Sequence, residues 1–401
     1  MKTFRILLVA SIALMTANFA LAQTWTQTSA PTNSWSCVAS SADGTKLVAA
    51  GDGSIFTSTD SGTIWISNNV PHKLWNHVAS SSDGSKLAAT STALGQPSGS
   101  LFTSTNSGAT WISNSTPSVA WNSIAFSADG NRLVAAGSWK ILISTNSGTT
   151  WASTNTDEQW EIVASSANGT KLVAAASMVF PPTPRIYTST NSGSSWALVN
   201  SSLPLASAIA SSADGTKLAA IMGRSIYVST NSGIAWTITS APATNWVSIA
   251  SSADGSRLVV VAERTDNFGP FPPAISGVIY SSTDSGATWI HNNVAVHNWS
   301  WVASSADGCK LVAAAGDWTP ADSGIWTLQT TPAPQINITP ANGNLTLSWI
   351  VPSANFVMQQ SSDLINWTDA VATPTLNLTS LQNEVTLPLT GSSGFYRLKT
   401  P

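Results

Sequence analysis

Acidic side chains outside the recurring turns of this sequence are the first candidates for chemistry. They are Asp52, Asp157, Glu158, Glu161, Glu263, Asp266, Asp317 and Asp322. Two carboxyl groups about 5 to 9.5 Å apart can hydrolyse a glycosidic bond. The context marks no two of these residues as a pair, so the sequence predicts solvated loop acids and no catalytic pair.

Histidine and serine patterns do not predict an enzyme either. The histidines, His72, His77, His291 and His297, lack the His-x-x-x-His spacing of a zinc site, and no Gly-x-Ser-x-Gly turn presents a nucleophile. We therefore predict a non-catalytic protein with no catalytic residue, no metal site and no cofactor. A glycoside hydrolase stays open as the alternative.

Aromatic and arginine side chains near long connections are the candidate binding residues. The predicted set is Trp139, Phe180, Arg185, Arg264, Phe268, Phe271 and Trp318. Aromatic rings on proline-stiffened loops suit a sugar ring, a proline-rich peptide or another protein surface. The alternative is that these rings only cover their own loops.

Repeated strands and turns must position these loops. A serine-rich phrase closing on Asp-Gly or Asn-Gly recurs about every 40 to 53 residues and ends at Gly44, Gly84, Gly130, Gly169, Gly215, Gly255 and Gly308. This spacing is typical of propeller blades, and each unit contains four short β-rich runs. The sequence therefore predicts an all-β fold with a seven-bladed β-propeller.

A second turn, STNSGTTW at Ser144–Trp151, recurs with small changes in six units. Its third residue is Asp60, Asn106, Asn146, Asn191, Asn231 or Asp284, and its last is Trp65, Trp111, Trp151, Trp196, Trp236 or Trp289. An Asp or Asn side chain can accept main-chain N–H bonds within the turn, and the tryptophan can pack between sheets. Because Asn replaces Asp in four copies, we predict a structural role.

The seventh unit lacks this turn and its fourth strand. The segment TWTQTSAP from Thr24 aligns with TWISNSTP from Thr110, which follows such a turn. We therefore predict that the N-terminal strand is the outermost strand of the last blade and closes the ring.

Insertions fall on one side of the predicted propeller. Units two, four, six and seven lengthen the connection between their second and third strands, on the face opposite both turns. Insertions on one face of a repeat protein usually mark its binding face. A tryptophan that opens the first strand of six units, as Trp35 does, is expected to pack between blades or to line the axial mouth.

The recurring turn resembles the Asp-box, or BNR repeat, Ser-x-Asp-x-Gly-x-Thr-Trp, of bacterial sialidases and related propellers. Sialidases bind a carboxylate with three arginines and use a tyrosine paired with a glutamate; Arg185, Arg224 and Arg264 form only an imperfect trio. Tyr187 occupies a repeat position that phenylalanine also fills, so sialidase activity is not implied. A glycoside hydrolase, sialidase-like or of another Asp-box propeller kind, stays open as the alternative to a binding protein. The layout is closer to seven-bladed propellers of the photosystem II stability and assembly factor type and to sortilin-like receptors, which implies a binding scaffold.

The first 22 residues read as a signal peptide cleaved after Ala22, with basic residues, an apolar run and Ala-Leu-Ala. We expect a secreted, periplasmic or cell-surface protein with no transmembrane segment in the mature chain. Only 9% of residues are charged and the net charge is -3, so nucleic acid is not expected as a partner. Cys37 and Cys309 fall at different repeat positions and are expected to be free, buried thiols.

After residue 331 the repeat is lost. Residues 332–401 are predicted to form a small β-sandwich of the immunoglobulin or fibronectin kind, with Trp349, Trp367, Phe395 and Tyr396 in its core. The tail resembles C-terminal modules of secreted bacterial proteins. The domains are therefore the signal peptide 1–22, the propeller 23–331 and the module 332–401, in a monomer that binds a glycan or an extracellular protein; a scaffold without a small ligand stays open.

Overall fold

The computed structural model describes residues 24–93, 96–117, 119–177, 183–200, 202–264, 276–316, 323–330, 336–341, 344–351, 356–362, 364–370, 372–388 and 395–399. These residues form strands and turns without a helix. Accordingly, no apolar helix of membrane-spanning length occurs in these ranges. The protein is all-β, as predicted.

The first two repeats each form an antiparallel sheet of four consecutive strands. A short strand, β1 (Thr26–Gln27), precedes them. The strands are β2 (Trp35–Ser40), β3 (Leu47–Gly51), β4 (Ser54–Ser58) and β5 (Ile66–Ser67), then β6 (Leu74–Ser80), β7 (Leu87–Ala93), β8 (Gln96–Ser104) and β9 (Ile112–Ser113).

The third and fourth repeats share one six-stranded sheet. It contains β10 (Trp121–Phe126), β11 (Leu133–Ser144), β12 (Ala152–Ser165), β13 (Leu172–Ser177), β14 (Pro184–Ser189) and β15 (Ala197–Asn200), in this order. Strand β12 is long because it continues from the outer edge of the third repeat into the first strand of the fourth. Ser138 of the third repeat pairs with Gln159 of the fourth, so main-chain pairing joins the two repeats.

The remaining repeats form three further sheets of the same kind. Their strands are β16 (Ala206–Ser211), β17 (Leu218–Met222), β18 (Ser225–Ser229) and β19 (Thr237–Ile238); β20 (Trp246–Ser251), β21 (Leu258–Ala262), β22 (Ile279–Ser282) and β23 (Ile290–His291); and β24 (Trp299–Ser304), β25 (Lys310–Ala315) and β26 (Gly324–Gln329). The fourth strand of the last sheet is β1, since Thr26 pairs with Thr327 and Gln27 with Trp326.

Two smaller sheets follow the repeats. They contain β27 (Asn337–Ala341), β28 (Asn344–Ile350), β29 (Val357–Ser361), β30 (Thr368–Asp369), β31 (Thr375–Asn377), β32 (Gln382–Pro388) and β33 (Phe395–Lys399). One has the order β27-β28-β32-β31 and the other β30-β29-β33. Leu347, Trp349 and Val385 from the first share a buried cluster with Met358 from the second.

Two of the four aromatic residues predicted for this core lie elsewhere. Tyr396 packs against the cluster around Trp349, as expected. Trp367 is only half-buried, and the guanidinium of Arg397 stacks over its ring at 4.2 Å. Phe395 is half-buried and is not part of that cluster. Alternation along a strand predicts that one face is buried, but it does not say which face.

The seven Asp-Gly and Asn-Gly turns are linked by a circle of backbone hydrogen bonds. The N–H of Ala42 donates to the carbonyl of Ser82 at 2.7 Å, and the N–H of Ala306 donates to the carbonyl of Ala42 at 2.7 Å. Between them the bonds run from Ser82 to Ala128, Ala128 to Ala167, Ala167 to Ala213, Ala213 to Ala253 and Ala253 to Ala306. The turn of the last repeat therefore lies beside that of the first.

Each of these turns is stabilised by its own side chains and by a neighbouring repeat. Ser41 Oγ donates to Asp43 at 2.6 Å, and Asp43 accepts the N–H of Thr45 at 3.0 Å. Burial would raise the pKa of Asp43, but these hydrogen bonds and the charge of Lys310 lower it overall. Gly44 has φ of +69°, and a Cβ there would lie 2.7 Å from the side chain of Lys310. A larger residue therefore fits neither the backbone nor the space.

The two kinds of recurring turn lie on one face of the molecule. The N–H of Ser61, in the tryptophan-closed turn, donates to Thr45 at 2.8 Å, and Ser147 likewise donates to Asn131 at 2.9 Å. We call the side formed by these turns the turn face. The opposite side, which holds the connections between second and third strands, such as Asp52–Gly53, is called the loop face.

Buried apolar clusters fill the spaces between neighbouring sheets. One contains Trp35 and Leu47 of the first repeat with Val312 and Ile325 of the last. The tryptophans that open first strands are buried: Trp35, Trp75, Trp121, Trp160, Trp246 and Trp299. They pack between sheets, and this burial leaves little of their rings to line an open mouth.

The C-terminal sheets contact the turn face at its centre. Ile350, Val351 and Leu381 pack against the ring of small side chains formed by Ala42, Ala128, Ala167, Ala213, Ala253 and Ala306. The turn of the second repeat has Ser82 in place of alanine at this position, and the Ser82 hydroxyl is buried without a hydrogen-bond partner. The centre of the turn face is therefore covered by the chain's own C-terminal part.

Both cysteines are unpaired and buried. Cys37 is in β2 and Cys309 follows the last Asp-Gly turn. Burial raises the pKa of both thiols. Because the thiolate is the reactive form, both groups are expected to be inert in the folded chain.

Candidate functional site

Trp139 is an unusual side chain among the described residues of the loop face. It lies within β11, at the bend between the half that pairs with β10 and the half that pairs with β12. These halves correspond to the second and third strands of the first repeat, and the pairing register places Gly53 at the position of Trp139. Gly53 has φ of +78°, and Trp139 has φ of +66°. The left-handed conformation costs a bulky residue about 1–2 kcal/mol. Trp139 is nevertheless 48% exposed, so about half of this large apolar side chain faces solvent.

Glu158, Arg185 and Tyr187 form a hydrogen-bonded cluster near Trp139. Arg185 Nη1 donates to Glu158 Oε1 at 2.5 Å, and the Tyr187 hydroxyl donates to the same oxygen at 2.6 Å. Glu158 lies within β12, two residues before Trp160, and the other two residues lie on β14. Strand β13 separates these segments, so long side chains must meet across it at the loop face.

The cluster leaves two polar atoms without partners. Glu158 is 7% exposed, and its Oε2 atom is buried without a hydrogen bond; Nε of Arg185 is buried in the same state. An unsatisfied buried polar group costs about 1–3 kcal/mol. Burial raises the pKa of Tyr187, and its hydrogen bond to Glu158 raises it further. The tyrosine is therefore protonated at neutral pH and serves as a donor.

Trp139 lies opposite Glu158 in the sheet. Strand β11 pairs Ser138 with Gln159 and Lys140 with Asn155, so Trp139 alone faces the three-residue bulge that ends at Glu158. The bulge brings the exposed indole and the Glu158–Arg185 pair to the same edge. We call Trp139, Glu158, Arg185 and Tyr187 the Trp139 patch.

Glu161 is a second acid of the fourth repeat with an unusual setting. It is the extra residue of the bulge between Trp160 and Ile162. The residues at the same position of the second and third repeats, Asn76 and Asn122, donate to the carbonyl of the next repeat's first-strand tryptophan at 2.5 and 2.8 Å. A carboxylate cannot donate, and burial raises the pKa of Glu161.

The structure brings together only part of the predicted binding set. Trp139 lies opposite the bulge that ends at Glu158, and Glu158 in turn bonds Arg185. Arg264 lies two residues after the end of β21 and is half-buried, and its backbone N–H donates to Asn298 Oδ1 at 3.1 Å. The remaining predicted residues lie outside the described residues: Phe180, Phe268, Phe271 and Trp318.

The sequence-based interpretation of Glu158 as a solvated loop acid is wrong. The residue is buried and ion-paired, and within the described part of the chain this is the one salt bridge. The pairing could not be predicted, since the partners are 27 residues apart and meet only through the register of three strands. The available signal was that no other repeat has an acid two residues before its first strand's opening position.

The tryptophan-closed turns have a consistent internal geometry. Ser58 Oγ donates to Asp60 at 2.8 Å and accepts the N–H of Gly62 at 2.9 Å, while Asp60 accepts the N–H of Ile64 at 2.8 Å. Asn146 accepts the N–H of Thr150 at 2.9 Å in the same way. The serine before each glycine also has positive φ, which the sequence did not suggest.

The tryptophans of these turns are half-buried and pack against the clusters between neighbouring sheets. They are Trp65, Trp111, Trp151, Trp196, Trp236 and Trp289. The acceptors are Asp60, Asn106, Asn146, Asn191, Asn231 and Asp284. In the ranges the structure describes, no three His, Cys, Asp or Glu side chains are grouped so that they could hold a metal ion.

Solved structures with the same architecture were found, although no protein-family model and no curated protein matches the chain. YCF48 bound to a D1 peptide aligns with a TM-score of 0.55 at 15% identity, over 77% of this chain and 97% of that chain. The chain has a β-propeller fold. The WD40 repeats of RRP9 align with a TM-score of 0.58 at 13% identity, over 76% and 97% of the two chains.

An enzyme is also among the similar structures. The GH74 xyloglucanase from Xanthomonas campestris aligns with a TM-score of 0.57 at 15% identity, over 82% of this chain but only 59% of the enzyme. These identities are low, and the likenesses show the fold alone. Propellers carry both binding and catalytic functions, so the function must be argued from the site.

Proposed function

We propose that the chain is a seven-bladed β-propeller spanning residues 23–331, closed by its N-terminal strand and followed by a β-sandwich module at 332–401. The circle of seven turn-to-turn hydrogen bonds and the pairing of β1 with β26 support the blade count and the closure. The cluster shared by two C-terminal sheets supports the module. Residues 1–22 lie outside the described residues, and their composition supports export of the protein.

We further propose that the protein is a non-catalytic binding propeller whose loop face contacts a glycan or an extracellular protein. The observation that carries this proposal is Trp139, an exposed indole in a strained conformation where a corresponding hairpin has glycine. Strain that does not help folding is most often kept for function. The recurring turns contribute structure instead, because Asn and Asp copies make the same main-chain bonds.

The test is capture of ligands by the full chain and by two variants. We expect the parent chain to bind a glycan on an array or to retain a protein in a pull-down, and Trp139→Ala to lose this binding. The matched control is Ile112→Ser, which removes an apolar side chain, 64% exposed, from the outer strand β9. Equal loss in both variants, or no loss in Trp139→Ala, would contradict a binding role for the loop face.

A glycoside hydrolase is the second candidate, and one observation favours it. The Tyr187 hydroxyl lies 2.6 Å from Glu158, an arrangement in which the carboxylate could activate the tyrosine. Against it, Glu158 Oε1 already accepts a hydrogen bond from Arg185, and this bond would compete with proton transfer from the tyrosine. Hydrolysis of aryl glycosides by the parent chain, abolished in Tyr187→Phe, would favour the enzyme.

A further inference from the structure

We propose that the Trp139 patch is a subsite for an uncharged saccharide, an inference that rests on the proposed binding function of the loop face. The sugar ring would stack on the indole of Trp139, and its hydroxyl groups would bond the exposed edge of the Arg185 guanidinium and the Tyr187 hydroxyl.

The charges of the patch cancel internally. Glu158 and Arg185 form a contact ion pair at 2.5 Å, and the side chain of Arg185 remains 27% exposed. An anionic ligand would have to compete with Glu158 for the guanidinium, and a cationic ligand would have to compete with Arg185 for the carboxylate. A ligand without charge avoids both costs, because it can bond the exposed edge of the pair without breaking it.

The exposed ring favours a ligand with an apolar face and polar edges. The indole of Trp139 presents a broad flat surface, and the ion pair lies on the strand segment opposite it. A pyranose has this same division, with C–H groups on its face and hydroxyl groups around its edge. A flexible peptide side chain would cover less of the ring and would not supply several hydroxyl groups at once.

The unpaired atoms of the cluster indicate that it is not optimised for stability. A cluster kept only for folding would be expected to satisfy all its buried polar atoms. Here Glu158 Oε2 and Arg185 Nε are both buried without partners. Unsatisfied groups beside a strained exposed tryptophan are two separate costs to folding at one edge of the sheet. Such violations are expected at functional sites.

The experiment is calorimetric titration of the full chain with uncharged oligosaccharides, namely gluco-, xylo- and manno-hexaose. Oligogalacturonate and chitosan hexamers serve as the acidic and basic probes. We expect at least one uncharged hexamer to bind and both charged probes to bind at least tenfold more weakly. Trp139→Gly should weaken the uncharged hexamer at least tenfold without lowering the unfolding midpoint, since glycine is suited to φ of +66°. Ile112→Ser should leave affinity unchanged.

Four outcomes would overturn the inference. Preferential binding of a charged probe would show that the ion pair opens for its ligand. Unchanged affinity in Trp139→Gly would place any saccharide site elsewhere. If none of the hexamers binds but Trp139→Gly abolishes capture of a protein, the loop-face function would stand and the saccharide inference would fail. If nothing binds and no capture depends on Trp139, both would fail.

Discussion

Replacing Trp25 with alanine tests whether the N-terminal strand holds the first and last repeats together. Trp25 is 7% exposed and shares a buried cluster with Trp299 and Trp326; its ring centroid lies 6.4 Å from that of Trp299. A buried aromatic residue replaced by alanine costs about 3–5 kcal/mol. We expect a loss of unfolding free energy in this range, because β1 has few main-chain pairs besides this anchor.

The assay is urea denaturation followed by far-ultraviolet circular dichroism and, in parallel, by tryptophan fluorescence, since coincident curves are needed for a two-state treatment. The matched control is Trp151→Ala, which removes a half-buried tryptophan from the equivalent position of the third repeat. Its cost should be smaller in proportion to its buried area. Removing residues 24–31 should cost more than Trp25→Ala, because the β1–β26 pairs are lost as well.

Closure of the ring by the N-terminal strand would be refuted if Trp25→Ala lowered the unfolding free energy no more than Trp151→Ala does. It would also be refuted if the shortened chain unfolded at the same urea concentration as the parent. Either result would mean that the last sheet is stable with three strands and that the ring does not depend on its N-terminal strand.

Three further predictions concern groups with unusual burial. Burial raises the pKa of Glu161 above its usual 4.5, so its contribution to stability is present at low pH and is lost as pH rises through the raised value. Glu161→Gln should therefore have a larger unfolding free energy than the parent at pH 7, by about 1 kcal/mol if the amide donates as Asn122 does. The difference should disappear near pH 4, and a difference that does not change with pH would contradict this. Leu381→Asp places a charge against the ring of small side chains formed by Ala42 and its equivalents. It should speed hydrogen exchange in the C-terminal sheets without lowering the main unfolding midpoint, whereas Leu376→Asp, at an exposed position, should leave hydrogen exchange unchanged. Cys37 and Cys309 should react with Ellman's reagent only after denaturation, and a reactive thiol in the folded chain would show that one is accessible.

The repeat made much of the fold predictable. The regular spacing of the Asp-Gly phrases predicted four-stranded units, and the match between TWTQTSAP and the strands after each closing tryptophan placed the N-terminal strand beside the last repeat, where β1 does pair. These inferences succeed because strand positions follow from main-chain periodicity. The fusion of the third and fourth repeats through β12 has no such signal, since it depends on the length of one connection.

The candidate site was only partly predictable, because its side-chain contacts do not follow from main-chain periodicity. Trp139 and Arg185 stood out as loop residues, but the pairing of Arg185 with Glu158 crosses a third strand. Side-chain partners of this kind depend on register, which a list of residue types does not contain. The strain at Trp139 became visible only when its φ could be compared with that of Gly53.

The pairing of β1 with β26 also decides how the propeller could be tethered. Because Thr26 pairs with Thr327 in antiparallel fashion, Thr24 lies near the end of β26, and Thr330 bonds the last Asp-Gly turn through Cys309 at 2.8 Å. The chain therefore enters and leaves the ring of repeats on the same side, the turn face. A segment that tethered the propeller through either of these points would therefore attach at the turn face, on the side opposite the Trp139 patch.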